Sequence, residues 1–139
     1  MEYNPYALTG KTILVTGASS GIGRAVAIEC SRLGAHVILS ARNKEKLEET
    51  LKMMEGHGHQ VIECDLSKEK EVSLLIDEVP EIQGLVNNAG TTMTVPVPFI
   101  KFNVLSDLLK VNTIAPIMIL SGLVKKKKLR ANSSVVFTS

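Results

Sequence analysis

The chain has few of the residues from which metal centres, redox motifs and disulfide frameworks are built. Its 139 residues include two cysteines, three histidines and no tryptophan. Cys30 and Cys64 lack metal or redox spacing, and we expect them to pack as small apolar groups in a reducing cytoplasm. His57 and His59 flank Gly58 in a turn-like segment without a further ligand nearby, so no metal site is predicted.

The sequence also lacks a strong net charge and a long hydrophobic run. The formal net charge is +2, which does not indicate nucleic acid as a partner. One basic run, residues 125–128, falls where a helix should end, and we interpret it as a solvated helix terminus rather than a polyanion or targeting site.

No segment is predicted to span a membrane or to direct secretion. The longest apolar stretch, residues 114–124, is interrupted by Pro116, Ser121 and Gly122 and is shorter than the roughly 20 residues of a spanning helix. The N-terminus has no basic region followed by an apolar one, as a signal peptide would. We therefore expect a cytoplasmic protein without a membrane partner.

The chain does contain an alternating array of strand and helix patterns in a single predicted domain, residues 1–139. Apolar strand-like runs lie at residues 12–15, 37–40, 61–63, 85–86 and 135–137. Helical patterns lie at residues 23–33, 44–54, 69–79 and about 102–128, with Gly34 as a stop and Ser67 as an N-cap. Strands without polar alternation, separated by helices, predict an α/β fold: a doubly wound parallel sheet in the order 3-2-1-4-5.

A glycine-rich turn between the first strand and the first helix is the most informative segment. Such a turn lets the backbone approach a phosphate and directs the N–H groups of the helix N-terminus towards it. No lysine follows Gly23, which excludes a P-loop. The glycines stand at positions one, five and seven (Gly17, Gly21 and Gly23), not at one, three and six as in the usual dinucleotide fingerprint.

Three further motifs follow in order along the chain. Asn88, Ala89 and Gly90 come after the fourth strand-like run, within an Asn-Asn-Ala-Gly segment. Asp65 and Leu66 end the third run. A polar residue, Asn112, lies inside the long apolar helical pattern.

With the threonine at position 16, these motifs resemble those of the short-chain dehydrogenase/reductase family. The resemblance covers all 139 residues but only about the N-terminal half of the family pattern. It implies a Rossmann-like domain and an NAD(P) cofactor, with Asp65 meeting the adenine. The cofactor-binding residues that it implies, with the turn included, are Gly17, Ser19, Ser20, Gly21, Ile22, Gly23, Asp65, Leu66, Asn88, Ala89 and Gly90.

Geometry supports one shared site for these residues. Gly17, Asp65, Asn88 and Ser139 all follow strands, and the carboxyl ends of parallel strands gather along one edge of a sheet. Cofactors bind such sheets at that edge, near the switch point between strands 1 and 4.

The end of the second strand indicates which nicotinamide cofactor is used. An acidic residue there selects NAD, whereas an arginine pairs with the 2′-phosphate of NADP. The segment 39–43 contains Arg42 and no carboxylate, so NADP(H) is predicted. The alternative is that Arg42 is a surface residue at the start of a helix.

Catalysis in the family, as the resemblance implies, uses Asn, Ser, Tyr and Lys. Asn112 matches the family's Asn, although its side chain could instead bond neighbouring backbone. Ser139 lies where the catalytic Ser belongs, but the residue after it is an equal candidate. The Tyr-x-x-x-Lys motif is absent, since Tyr3 and Tyr6 precede the first strand.

Three hypotheses remain. The favoured one is an oxidoreductase that transfers a hydride between NADP(H) and a small-molecule alcohol/carbonyl substrate, with this chain as the front half of a longer enzyme. An unpaired apolar edge at the fifth strand supports it. The second is a non-catalytic NADP(H)-sensing module, and the third a structural domain that binds no nucleotide. The resemblance also implies a homodimer or homotetramer. The apolar residues 117–120 fit such self-association, and a buried crossing helix explains them equally well.

Overall fold

The computed structural model describes residues 3–138, in which strands and helices alternate along the chain. The strands are β1 (Thr12–Thr16), β2 (His36–Ala41), β3 (Gln60–Glu63), β4 (Ile82–Asn87) and β5 (Leu129–Phe137). The first helices are α1 (Gly21–Arg32), α2 (Lys44–Met53) and α3 (Glu69–Glu78). A short 3-10 turn (Val97–Phe99) then leads to α4 (Phe102–Leu109), a π-helical turn (Lys110–Ile114) and α5 (Ala115–Lys125).

All five strands form one parallel sheet in the order β3-β2-β1-β4-β5. This confirms the predicted topology. Successive residues of a strand face opposite sides of a sheet, so β1 contributes to two separate cores. Ile13 and Val15 pack with α1 and α2, whereas Leu14 packs with α3 and α5. The absence of polar alternation in the strand segments follows from this coverage on both faces.

The predicted helix boundaries are correct at Gly34 and wrong at Ser67. Gly34 has a φ of +96°, and it ends α1 in the left-handed conformation that glycine adopts most easily. The N-cap residue of α3 is Lys68, and its side chain makes no cap hydrogen bond. The Ser67 hydroxyl instead donates to Asp65 Oδ1 at 2.7 Å, because an Asx-type turn at the end of β3 competes successfully for it.

The long helix predicted at residues 102–128 is interrupted and ends earlier. A π-helical turn separates α4 from α5, and Lys127, with a φ of +56°, lies beyond the end of α5. Pro116 explains the interruption because it has no N–H to donate to the Asn112 carbonyl four residues earlier. The π-helical turn has one residue more than an α-helical turn, and the helix continues through it although this hydrogen bond is missing.

The continuous helical segment Phe102–Lys125 is long and apolar enough, by length and composition, to cross a membrane. The prediction from residues 114–124 alone overlooked the apolar residues of α4. Ile119 and Leu123 on this segment are fully buried in the core with α3 and the sheet. No residue of α4 is buried, however, and 28% of the apolar window is buried as a whole.

Two of the four lysines at residues 125–128 stabilise α3 rather than their own helix. Lys128 Nζ donates to the carbonyl oxygens of Ile76 and Asp77 at 2.6 and 2.7 Å, and Lys126 pairs with the Asp77 carboxylate. The cations therefore complement the C-terminal end of a neighbouring helix. The prediction that these lysines act at the end of a helix is confirmed, but the helix that Lys126 and Lys128 contact is α3 and not α5.

The candidate cofactor site

The loop after β1 is built on a backbone that only glycine can follow. Gly17 has a φ of +65°, and a Cβ placed there would lie 2.8 Å from Ala89 Cα and 2.9 Å from Ala89 N. The loop after β1 and the loop after β4 therefore touch through their main chains. This contact lies where β1 and β4 are neighbours, at the predicted switch point of the sheet.

Gly23, another of the predicted cofactor-binding residues, is buried beneath the loop. A Cβ at this position would come within 2.1 Å of Gly17 O, 2.5 Å of Asn88 Nδ2 and 2.7 Å of Gly17 C. Close packing of α1 under the turn is possible only without a side chain. Gly21, by contrast, has open space around it and a φ of +54°.

Thr16 joins the two loops through one buried hydroxyl. Its Oγ1 accepts hydrogen bonds from the N–H groups of Asn88 and Ala89 at 3.0 and 3.1 Å. The same oxygen lies 3.5 Å from Val86 O, to which it donates. Thr16, the last residue of β1, thus supplies an acceptor for two N–H groups of the loop after β4, which form no hydrogen bonds within the sheet.

The N-terminus of α1 is open to an anion. Ser20 is the N-cap residue, its side chain makes no cap hydrogen bond, and no acidic residue stands in the first turn. Within the described part of the chain, the N–H groups of Ser19 and Ser20 donate to no protein acceptor. Unpaired N–H groups and the positive end of the helix dipole together favour a phosphate.

An open cleft of about 1130 Å³ lies beside this loop. The structure brings most of the predicted cofactor residues to its wall: Gly17, Ser19, Ser20, Arg42, Leu66, Asn88, Ala89 and Gly90. Gly21, Ile22 and Gly23 do not line it. The Ile22 side chain is 67% exposed, and Gly23 is buried below the turn.

Sequence reasoning missed several residues of the cleft. The wall also includes Asn43, Lys44, Lys46, Cys64 and Val111. Asn43 caps α2 by accepting a hydrogen bond from Lys46 N at 3.1 Å, and an Asn directly before a helical pattern was the signal for it. The others carry no local signal because their place depends on how the strands align.

Arg42 presents a free cation at the edge of this cleft. It is exposed, and its guanidinium makes no hydrogen bond or ion pair with any residue of the described segment 3–138. A smaller adjoining pocket of about 340 Å³ is lined by Arg42 together with Asp65 and Thr91. The guanidinium is thus available to a ligand that extends beyond the end of β2.

Asp65 is held in its charged form. Burial alone raises the pKa of its carboxyl group. Hydrogen bonds from the hydroxyl and N–H of Ser67 lower the pKa, as do the charges of Lys68 and Arg42, and the net pKa is below its ordinary value. Asp65 lies on the smaller pocket, so its predicted adenine contact would come from that side.

Cys64 contributes a neutral thiol to the cleft. Burial, with the nearby charges of Glu71, Asp65 and Glu78, raises the pKa of Cys64 to about 12. A thiol that stays protonated is a poor nucleophile. The expectation that Cys64 packs as a small apolar group agrees with its burial.

Asn112 lies in the π-helical turn, with its side chain bonded to a neighbouring loop. Its Oδ1 accepts from Thr91 N at 2.8 Å, and its Nδ2 donates to Thr91 O at 2.7 Å. These two bonds show the alternative given above, in which the Asn112 side chain bonds neighbouring backbone. They hold the segment after Gly90 against the π-helical turn. Ser139, the other predicted catalytic residue, lies outside the described residues.

Comparison with known proteins agrees with this architecture. The sequence model of a family described as short chain dehydrogenase matches residues 11–139. Mouse 3-ketodihydrosphingosine reductase is 34% identical over 146 aligned positions, which cover 97% of this chain and 44% of that protein. A 3-oxoacyl-(acyl-carrier-protein) reductase of Rickettsia felis is 45% identical over 85 residues, covering 61% of this chain and 35% of that protein.

A crystal structure of a short chain dehydrogenase from Burkholderia cenocepacia, in complex with NADP, superposes with a TM-score of 0.85. The two sequences are 28% identical, and the match covers 95% of this chain and 56% of that one. The chain spans less than half the length of the two curated relatives. What is similar is therefore a part of larger proteins.

Proposed function

Because the chain belongs to the short chain dehydrogenase family, we propose that it holds NADP(H) for an oxidoreductase. The proposed reaction transfers a hydride between NADP(H) and a small-molecule alcohol/carbonyl substrate. The chain would supply the cofactor-binding part of a longer enzyme. The observation that carries the proposal is the open cleft, which is lined both by Ser19 and Ser20, whose N–H groups have no protein acceptor, and by the free Arg42.

The residues present fit a dinucleotide phosphate. Gly17 lines the cleft without a side chain, at the point where the main chain of the loop meets Ala89. The N–H groups of Ser19 and Ser20 would bind the diphosphate, and Arg42 would bind the 2′-phosphate by charge-assisted hydrogen bonds. When bound, the nicotinamide supplies the hydride chemistry, which the protein orients and shields.

Replacing Arg42 by Asp should reverse the cofactor preference. The guanidinium has no protein partner to lose, and a carboxylate would repel the 2′-phosphate and accept from a ribose hydroxyl. We expect NADPH binding to weaken relative to NADH by about 1–3 kcal/mol, as for a lost charge-assisted bond. Fluorescence titration of both cofactors measures this difference. Lys70→Asp, on α3 and away from the cleft, is the matched charge control, because Lys70 likewise has no ion pair among the described residues.

An unchanged preference in Arg42→Asp would show that Arg42 is a surface residue and not the selector. If the unaltered chain binds neither NADPH nor NADH, the structural-domain hypothesis replaces the proposal.

A measurement of NADPH turnover distinguishes the enzyme hypothesis from the hypothesis of a non-catalytic sensing module. A polypeptide that contains this chain and a Tyr-x-x-x-Lys motif should oxidise NADPH with a carbonyl substrate. The first substrates to try are a 3-oxoacyl thioester and 3-ketodihydrosphingosine, because two relatives are named for them. Binding of NADPH without turnover on a wide carbonyl panel would favour the module.

We also propose that the protein acts in the cytoplasm as a homodimer or homotetramer. The support is the exposed apolar surface of α4 and α5, which includes Phe102, Ile117 and Met118. No nucleic-acid or membrane partner is proposed. Light scattering of the purified protein at increasing concentration tests the oligomeric state.

A further inference from the structure

Arg24 directly follows Gly23 and lies close to the glycine-rich loop. In the structure its guanidinium bonds this loop and α2. Its Nε donates to Thr50 Oγ1 at 2.9 Å, and one terminal nitrogen donates to Ser19 O at 2.7 Å. The same nitrogen lies 3.2 Å from Lys46 O and 3.3 Å from Glu49 Oε2. The side chain is 24% exposed and faces α2.

Thr50, a buried residue of α2, bonds both Arg24 and the loop. Its side chain is fully buried. The hydroxyl accepts from Arg24 Nε and donates to Ala18 O at 2.8 Å. The same hydroxyl also lies 3.3 Å from Lys46 O, a longer contact within α2. The shorter bond, to Ala18 O, is the one that joins the loop to α2.

The two bonded carbonyls belong to consecutive residues of the glycine-rich loop. In a planar trans peptide the C=O of one residue and the N–H of the next point in opposite directions. With Ala18 O held by Thr50, the N–H of Ser19 is turned away from α2. With Ser19 O held by Arg24, the N–H of Ser20 is turned away likewise. These are the loop amides that have no protein acceptor.

We propose that Thr50 and Arg24 are positioning residues that orient the phosphate-binding amides of the loop. Thr50 on α2 fixes the Ala18 carbonyl, and Arg24 on α1 fixes the Ser19 carbonyl. Neither residue touches the ligand in this arrangement. The inference rests on the proposed binding of NADP(H), and it gives α2 a role in the diphosphate end of the site. Without these two anchors the loop peptides are free to rotate, and the oxygen atoms can then face the phosphate.

The test compares two ligands that differ in the diphosphate. NADPH carries it, whereas adenosine 2′-monophosphate carries only the phosphate expected at Arg42. Thr50→Val keeps the shape of the side chain and removes the hydroxyl. We expect it to weaken NADPH binding by about tenfold and to leave adenosine 2′-monophosphate binding within about twofold. Thr50→Ser, which keeps the hydroxyl, should restore NADPH binding.

Several outcomes would overturn the inference. One is equal loss of both ligands in Thr50→Val, which indicates a merely structural effect. Another is unchanged NADPH binding in that variant, and a third is failure of Thr50→Ser to rescue. If Thr50→Val does not fold, Arg24→Lys takes its place, because a lysine cannot bond Thr50 and Ser19 together; it should show the same split between ligands. Failure of the unaltered chain to bind either ligand would count against the proposed function instead.

Discussion

Replacing Gly23 by alanine should abolish NADPH binding and lower the free energy of unfolding by about 3 kcal/mol, at the upper end of overpacking effects. The added Cβ would lie 2.1 Å from Gly17 O and 2.7 Å from Gly17 C. These are backbone atoms of the turn and cannot move aside as the end of a flexible side chain could. The helix and the loop must separate, and the amides directed at the phosphate are displaced.

Gly10→Ala is the control for this variant. Gly10 also has a positive φ, +78°, but no atom lies within 4 Å of its Cβ position. Only backbone strain remains, about 1 kcal/mol, and NADPH binding should be retained. Urea unfolding and NADPH titration of both variants provide the comparison. If Gly23→Ala were as stable as Gly10→Ala, the close packing of α1 beneath the turn would be refuted.

Thr16→Val should destabilise the protein by about 3 kcal/mol, since an unsatisfied buried N–H costs about 1–3 kcal/mol and two of them lose their acceptor. Thr16 is 1% exposed, so water cannot easily replace the hydroxyl. Valine preserves the shape of the side chain, which isolates the effect of the lost oxygen. Thermal and denaturant unfolding measure the change.

Two further variants of β1 serve as controls for this prediction. Thr16→Ser keeps the acceptor and should lose less than about 1 kcal/mol, the cost of a missing methyl group. Thr12→Val changes a threonine for which the structure gives no side-chain hydrogen bond and should stay within about 0.5 kcal/mol of the unaltered chain. Equal stability of Thr16→Val and Thr12→Val would mean that the loop amides find other acceptors.

The fold was predictable because its determinants are local. Each strand is an apolar run without alternation, and Gly34 marks the end of α1 by its backbone conformation alone. The errors lie where two local preferences compete. Ser67 could cap α3 or bond Asp65, and the sequence does not show which geometry is reached. From the sequence, Pro116 is interpreted only as a break in an apolar run. A proline inside a helical pattern also indicates an irregular turn, because the carbonyl four residues earlier, that of Asn112, loses its N–H donor.

The candidate site was predictable only where a motif marks it. The glycine turn, Arg42 and the Asn-Asn-Ala-Gly segment could be placed at one sheet edge from strand order alone. Thr50 could not, because it lies 32 positions from Ala18 in sequence and meets it only after α2 packs on the sheet. Lys128 is similar, since its carbonyl partners lie on α3, 52 and 51 positions away.

The single hydroxyl of Thr16 also bears on how quickly a ligand can associate. The segment after β4 is irregular, yet its amides are tied to the last residue of a central strand. Conformational entropy of that segment is therefore lost when the sheet forms and not when a ligand arrives. A nucleotide meets a wall that is already rigid, so its association should be limited by diffusion and orientation rather than by loop ordering.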